Sequence, residues 1–239
     1  MNWESFKDKF HPSWHERIRP FIESEECDKI YAFLKAESKR GKKVAPLSMN
    51  VWRCFKETSL DDLKVVLVGM CPYHTFKHDA PVADGLLMGC SITEQVQPTL
   101  QQFYRGIEKD VYDGLNLNMN ENPDVSFLAH QGVLMLNSAL TTEKDKAGSH
   151  IEIWQPFMKF LFENIINDLG VPIIFLGKDA ARCKKYTGIF AHVFELSHPA
   201  SASYKGTDWD TEGTFKKVNK IIWENNGDTL VWLDCDVPF

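Results

Sequence analysis

Four stretches of the 239-residue chain read as strands: "KVVLVG" (64–69), "GVLMLN" (132–137), "VPIIFLG" (171–177) and "HVFELSHP" (192–199). The first three are near-continuous apolar runs, the pattern of parallel strands buried on both faces. Apolar residues at helical spacing lie between and around them. Cys27, Ile30, Tyr31 and Leu34 follow Ser24, which suits a helix N-cap, and the charged run "KRGKK" ends that helix as a solvated face. "TLQQFYRGIEKDVY" (99–112) predicts a helix with Leu100, Phe103, Tyr104, Ile107 and Val111 on one side. Residues 154–170 predict another that buries Phe157, Leu161 and Ile165 and closes at Gly170; a last helix spans 214–227 and closes at Gly227. "DTLVWL" (228–233) reads as a short final strand.

Strands alternating with helices predict an α/β chain: a single-domain α/β/α sandwich with a central, mostly parallel four-stranded sheet. The single domain is expected over 1–239, with an N-terminal helical part (1–60) and the sheet with its site loops (61–239). Each strand ends in a polar or glycine-bearing stretch: "GMCPYH" from 69, Asn137, "GKDA" from 177 and "SHPASASYKG" from 197. In parallel α/β sheets the carboxyl ends of the strands line one crevice where ligands bind, so these four segments are expected to meet there.

Composition narrows the function classes. A 44% hydrophobic, 25% charged chain is globular rather than disordered. A net charge of −6 excludes a generally basic surface, so any DNA contact is expected at a local patch. No run approaches the roughly 20 apolar residues of a membrane helix, and the N-terminus lacks a signal-peptide core. Six scattered cysteines (27, 54, 71, 90, 183, 235) predict reduced thiols and a cytoplasmic or intracellular setting, a virion or host cytoplasm included.

These segments, in this order, resemble the family 1 uracil-DNA glycosylases. Gly69-Met70-Cys71-Pro72-Tyr73-His74 stands where the family has Gly-Gln-Asp-Pro-Tyr-His. Gly85-Leu86-Leu87-Met88-Gly89 stands for Gly-Leu-(small)-Phe-Ser, and "HPASAS" for His-Pro-Ser-Pro-Leu-Ser. "GVLMLNSALTTEKDKAGSH" is similar to the family's asparagine strand and the loop after it. The resemblance implies an extruded uracil read in a pocket. Asn137 matches the amide that pairs with the base edge, Tyr73 the ring that blocks a thymine methyl, and His198 the imidazole that stabilises the departing base.

The departures fall on the chemistry. Cys71 takes the place of the aspartate that orients water and offsets the positive sugar; a thiol with a pKa of about 8.5 is mostly neutral at pH 7. His74, if charged, would lower that pKa. Met88 replaces the stacking ring, Met70 the loop glutamine, and Ala202 the leucine wedge that fills the gap left in the duplex. Lys178 stands where a serine meets the backbone; together with Pro98, Ser201, Ala202 and Ser203 it makes up the expected DNA contact.

Two further readings use the same loop. Cys71, His74 and His78 have the spacing C-x2-H-x3-H, which invites zinc, but no second paired motif supplies partners, so no metal and no cofactor are expected. A cysteine hydrolase with Cys71 as nucleophile and His198 or His74 as base lacks a third, orienting residue. The expected function is a glycosylase-fold protein with strongly reduced or absent uracil excision, kept as a DNA-associated or assembly component, as in viral relatives of the fold that dock into larger assemblies. The alternative is an active glycosylase acting on uracil or another modified base. Trp3, Trp14, Trp209 and Trp232, taken as surface aromatics, would suit protein partners; no membrane partner is expected.

Overall fold

The computed structural model describes residues 1–114, 121–189 and 191–234; Cys235 lies outside them. Four strands form the central sheet: β1 (Val65–Gly69), β2 (Val133–Asn137), β3 (Ile173–Leu176) and β4 (Val193–Leu196). Their order is β2-β1-β3-β4, and every neighbouring pair is parallel. β1, β2 and β3 are buried along their whole length, as their apolar runs predict. β2 and β4 are the two edge strands; β2 is covered throughout, whereas in β4 only Leu196 is fully buried, in keeping with its mixed sequence.

Parallel strands need long crossovers: Pro98–Val111 lies between β1 and β2, and Ile151–Asn164 between β2 and β3. α1 (His15–Ile22) and α2 (Glu25–Lys39) pack on α4 (Ile151–Asn164); α3 (Pro98–Val111) packs on α5 (Pro199–Lys205) and α6 (Thr214–Asn226). The Ser24 hydroxyl caps α2 by accepting from the Cys27 N–H. Buried apolar residues from Trp3 to Leu233 form one continuous cluster through the sheet and its flanking helices.

Three expectations need correction. Residues 228–233 form no strand: the N–H groups of Leu230, Val231 and Trp232 donate to the side chains of Asn219, Gln131 and Tyr112 instead of to a neighbouring strand. The apolar alternation there is real, because Leu230 and Trp232 anchor in the core while Val231 faces out. The helix expected at 154–170 begins at Ile151 and ends at Asn164, with a separate 3-10 turn at Ile166–Asp168 before Gly170.

Trp3, Trp14, Trp209 and Trp232 are all buried. The indole N–H of Trp14 donates to the Thr58 carbonyl at 2.7 Å, that of Trp209 to the Ser197 carbonyl at 2.8 Å and that of Trp232 to Asn219 at 2.9 Å. Large aromatic area with one satisfied polar atom suits a core, so these residues offer no docking surface.

Candidate active site at the strand ends

The register of the sheet builds the site. Gly69, the last residue of β1, pairs with Asn137, the last residue of β2. The loops beyond are tied together: the Ser138 N–H donates to the Gly69 carbonyl at 2.8 Å and the Ala139 N–H to the Met70 carbonyl at 3.0 Å. From β3, Gly177 adopts a left-handed backbone (φ 87°), and a Cβ there would stand 3.1 Å from the His198 Cβ; glycine lets the loop after β4 come this close. A cavity of about 300 Å³ opens between these loops. Met70, Cys71, Tyr73, His74, Met88, Lys178 and His198 line it, as expected of residues converging on strand ends.

Cys71 is held by the Gly148 N–H, which donates to Sγ at 3.2 Å. Burial pushes its thiol pKa up, opposed by the Gly148 N–H and the Thr142 hydroxyl and assisted by the negative charge of Asp179. The thiol is therefore neutral at pH 7. His74 is not the group that sets this state, and its Nδ1 is buried without a partner. The Tyr73 hydroxyl is also buried without a partner of hydrogen-bond geometry; burial pushes its pKa up, opposed by the nearby Thr99 hydroxyl.

His198 is the N-cap of α5, and its Nδ1 accepts from the Ala200 N–H at 3.2 Å. Burial lowers its pKa, so the ring is neutral and its one proton sits on Nε2. His150, buried beside Thr141, is likewise held neutral by burial. The unfolded chain protonates both near pH 6.5, whereas the folded chain resists. Their contribution to stability is complete above about pH 6.5 and declines as pH falls towards the lowered folded-state values. Urea unfolding at pH 5.5 is expected to show a lower midpoint than at pH 7.5; equal midpoints would mean that neither ring resists protonation.

Asn137 is 3% exposed, its amide oxygen is unpartnered, and it lies outside the cavity lining. Met88 is buried in a left-handed conformation (φ 59°), unusual for a non-glycine residue and a sign of a tightly determined loop. The determinant is Asp84, whose buried carboxylate accepts from the Leu86 N–H at 3.0 Å and from the Ser91 N–H and hydroxyl at 3.1 and 2.7 Å. Arg53 pairs with this carboxylate at 2.8 Å.

The expected DNA-contact residues divide. Lys178 is exposed at the cavity mouth; Pro98 is exposed at the first turn of α3, outside the lining. The Ser201 hydroxyl donates to the His198 carbonyl at 2.6 Å, and Ser203 is half-buried. Ala202 is 5% exposed and faces inward, whereas Tyr204, two residues on, is 90% exposed at the cavity rim. Sequence reasoning missed Leu87, Asp179 and Tyr204 as lining residues. Asp179 was legible as an acid directly after a strand end, and Tyr204 as the aromatic of the "HPASASY" segment. His78 sits at the tip of the hairpin joining Phe76–Lys77 to Ala80–Pro81, outside the lining. Among the described residues, no three His, Cys, Asp or Glu side chains are grouped so as to hold a metal ion.

The family model of the uracil DNA glycosylase superfamily matches residues 55–223. The chain is 30% identical over 229 residues to a uracil-DNA glycosylase of Pseudomonas aeruginosa, covering 94% of each. It is 30% identical over 236 residues to that of Francisella philomiragia, covering 97% of this chain and 99% of the relative. The crystal structure of mimivirus uracil-DNA glycosylase superposes with a TM-score of 0.80 at 18% identity, over 97% of this chain and 89% of that one. Wild-type UNG of Nitratifractor salsuginis gives 0.58 at 17%, over 94% and 93%. The chain belongs to the uracil-DNA glycosylase superfamily.

Proposed function

We propose that this protein takes uracil from DNA into the strand-end cavity and hydrolyses its N-glycosidic bond, at a rate held down by the neutral thiol at position 71. The observation that carries this reading is the set of buried, unpartnered polar atoms at the strand ends: Tyr73 Oη, His74 Nδ1 and Asn137 Oδ1. Leaving such an atom unsatisfied costs about 1–3 kcal/mol, and a base with its own donors and acceptors would satisfy them.

In this mechanism Asn137 pairs with the polar edge of the base and the Tyr73 ring excludes a 5-methyl group. The Nε2 proton of neutral His198 is aimed at the oxygen that gains charge as the bond to the sugar breaks, so a donor that need not be reorganised lowers the barrier. On the sugar side the family's carboxylate is missing, and a neutral thiol offers little to a cationic sugar. The groups that read the base and stabilise its departure, Asn137, Tyr73 and His198, are present while the sugar side is weak, which supports slow turnover rather than none. Trp3, Trp14, Trp209 and Trp232 are buried, so they lend no support to an assembly role over this one.

The test incubates purified protein in excess with single- and double-stranded oligonucleotides carrying one uracil and follows abasic sites. Slow excision is expected, falling about 10²–10³-fold in His198→Ala and abolished in Asn137→Ala. No abasic product, with no preference for uracil-DNA in binding, would overturn the reading.

Tyr204 replaces Ala202 as the side chain able to enter the duplex gap. Base–aromatic stacking is worth about 1–3 kcal/mol, so Tyr204→Ala is expected to weaken binding to double-stranded uracil-DNA about tenfold or more and to affect single-stranded binding less. Equal losses on the two substrates would remove the wedge role.

A further inference from the structure

Leu87 and Asn137 meet over Gly69 at the inner end of the cavity. A Cβ placed on Gly69 would lie 2.2 Å from Leu87 Cδ1 and 3.2 Å from Asn137 Oδ1, so the leucine methyl and the amide oxygen crowd the same side of that glycine. Leu87 lines the cavity; Asn137 does not. Leu87 is nonetheless 2% exposed, packed against the core on its far side. The Asn137 amide oxygen near it has no hydrogen-bond partner. A polar atom buried without a partner, beside an apolar group that lines the cavity where the polar atom does not, is the arrangement of a shut gate.

We infer that Leu87 is the gate of the base pocket and a specificity-determining residue: a pyrimidine reaches Asn137 only when the Leu87 isobutyl group turns aside. The inference rests on the reading of the cavity as a base pocket. Loop motion is not the route, because the backbone around Leu87 is fixed. Its N–H donates to the Met135 carbonyl of β2 at 3.0 Å, and the Asp84 carboxylate holds Leu86 and Ser91 on either side. What remains is rotation of the leucine side chain between staggered wells. Met88, unbranched and lining the same cavity, is the adaptable wall that accommodates it.

A gate of this kind acts on affinity. When only a fraction of molecules is open, the apparent dissociation constant rises by the inverse of that fraction. Shortening residue 87 would remove this penalty without supplying any new contact to the base. In the shut state the cavity presents a hydrocarbon floor, so a base must gain the Asn137 pairing to hold the gate open. Ligands that cannot pair with an amide gain nothing from opening and are rejected.

Free uracil is the probe, followed by the side-chain NH₂ resonances of Asn137 in ¹⁵N-labelled protein, assigned by their loss in Asn137→Ala. Leu87→Ala is expected to reach half-saturation at a uracil concentration at least tenfold below that of the unmodified protein. Leu87→Val, which loses reach but keeps a branched apolar group, is expected to fall between and guards against a packing defect in the alanine variant. Equal half-saturation in all three overturns the gate while leaving the base pocket standing. No shift of the Asn137 resonances in any of them overturns both.

Discussion

Replacing Cys71 with aspartate is expected to raise uracil excision by about 10²-fold, the largest gain any single change offers this chain. A full charge about 4 Å from a cationic sugar, at an effective dielectric near 20, is worth about 4 kcal/mol, or about three decades in rate. Part of that is lost in this setting. The position is largely buried, and the charge of Asp179 already works against ionisation there. The Gly148 N–H, which now donates to Sγ, would donate to the carboxylate and favour its charged form. Cys71→Ser, polar but neutral, is the control and is expected to gain nothing. Single-turnover excision at pH 7.5 measures all three proteins. An aspartate variant no faster than the serine one would place the limiting defect elsewhere in the pocket, at Met88 or the Leu87 gate.

The sheet and the convergence on its strand ends were legible in the sequence because burial on both faces leaves a simple signature, a run of apolar residues ending in glycine or a polar group. Cys71, Tyr73 and His198 follow from that signature directly. What escaped depends on the direction a side chain takes. Leu87 is an apolar residue in a loop and reads as core; its position over Asn137 comes from the β1–β2 register and the turn held by Asp84. Ala202 and Tyr204 are two residues apart on α5, a rotation of about 200° on a helix, so one faces in and the other out. The tryptophans were misjudged for a similar reason, since residue type alone does not say which way an indole faces. At 228–233 the alternation of apolar residues is present, but the backbone bonds go to side chains, which no strand pattern announces.

Arg53→Ala is expected to cost about 3–5 kcal/mol, a large share of the roughly 5–15 kcal/mol that holds a typical fold. The reason lies in Asp84, whose side chain is 1% exposed and has Arg53 as its paired cation at 2.8 Å. Removing the guanidinium would leave a carboxylate buried without compensating charge, and Arg53 also reaches Asp124 at 3.1 Å and Glu57 at 3.4 Å. The same carboxylate fixes the loop that carries Leu87 and Met88, so the damage reaches the pocket floor. Asp84→Asn in the Arg53→Ala background would remove the uncompensated charge and keep an acceptor for the Ser91 N–H and hydroxyl, at the cost of an NH₂ facing the Leu86 N–H. The double variant is therefore expected to be more stable than Arg53→Ala alone, by about 1 kcal/mol. Urea unfolding of the single and double variants measures this difference. If Arg53→Ala loses less than about 1 kcal/mol, or the double variant is less stable than it, then the buried charge is not what the arginine serves, and the loop must be held by its backbone hydrogen bonds alone.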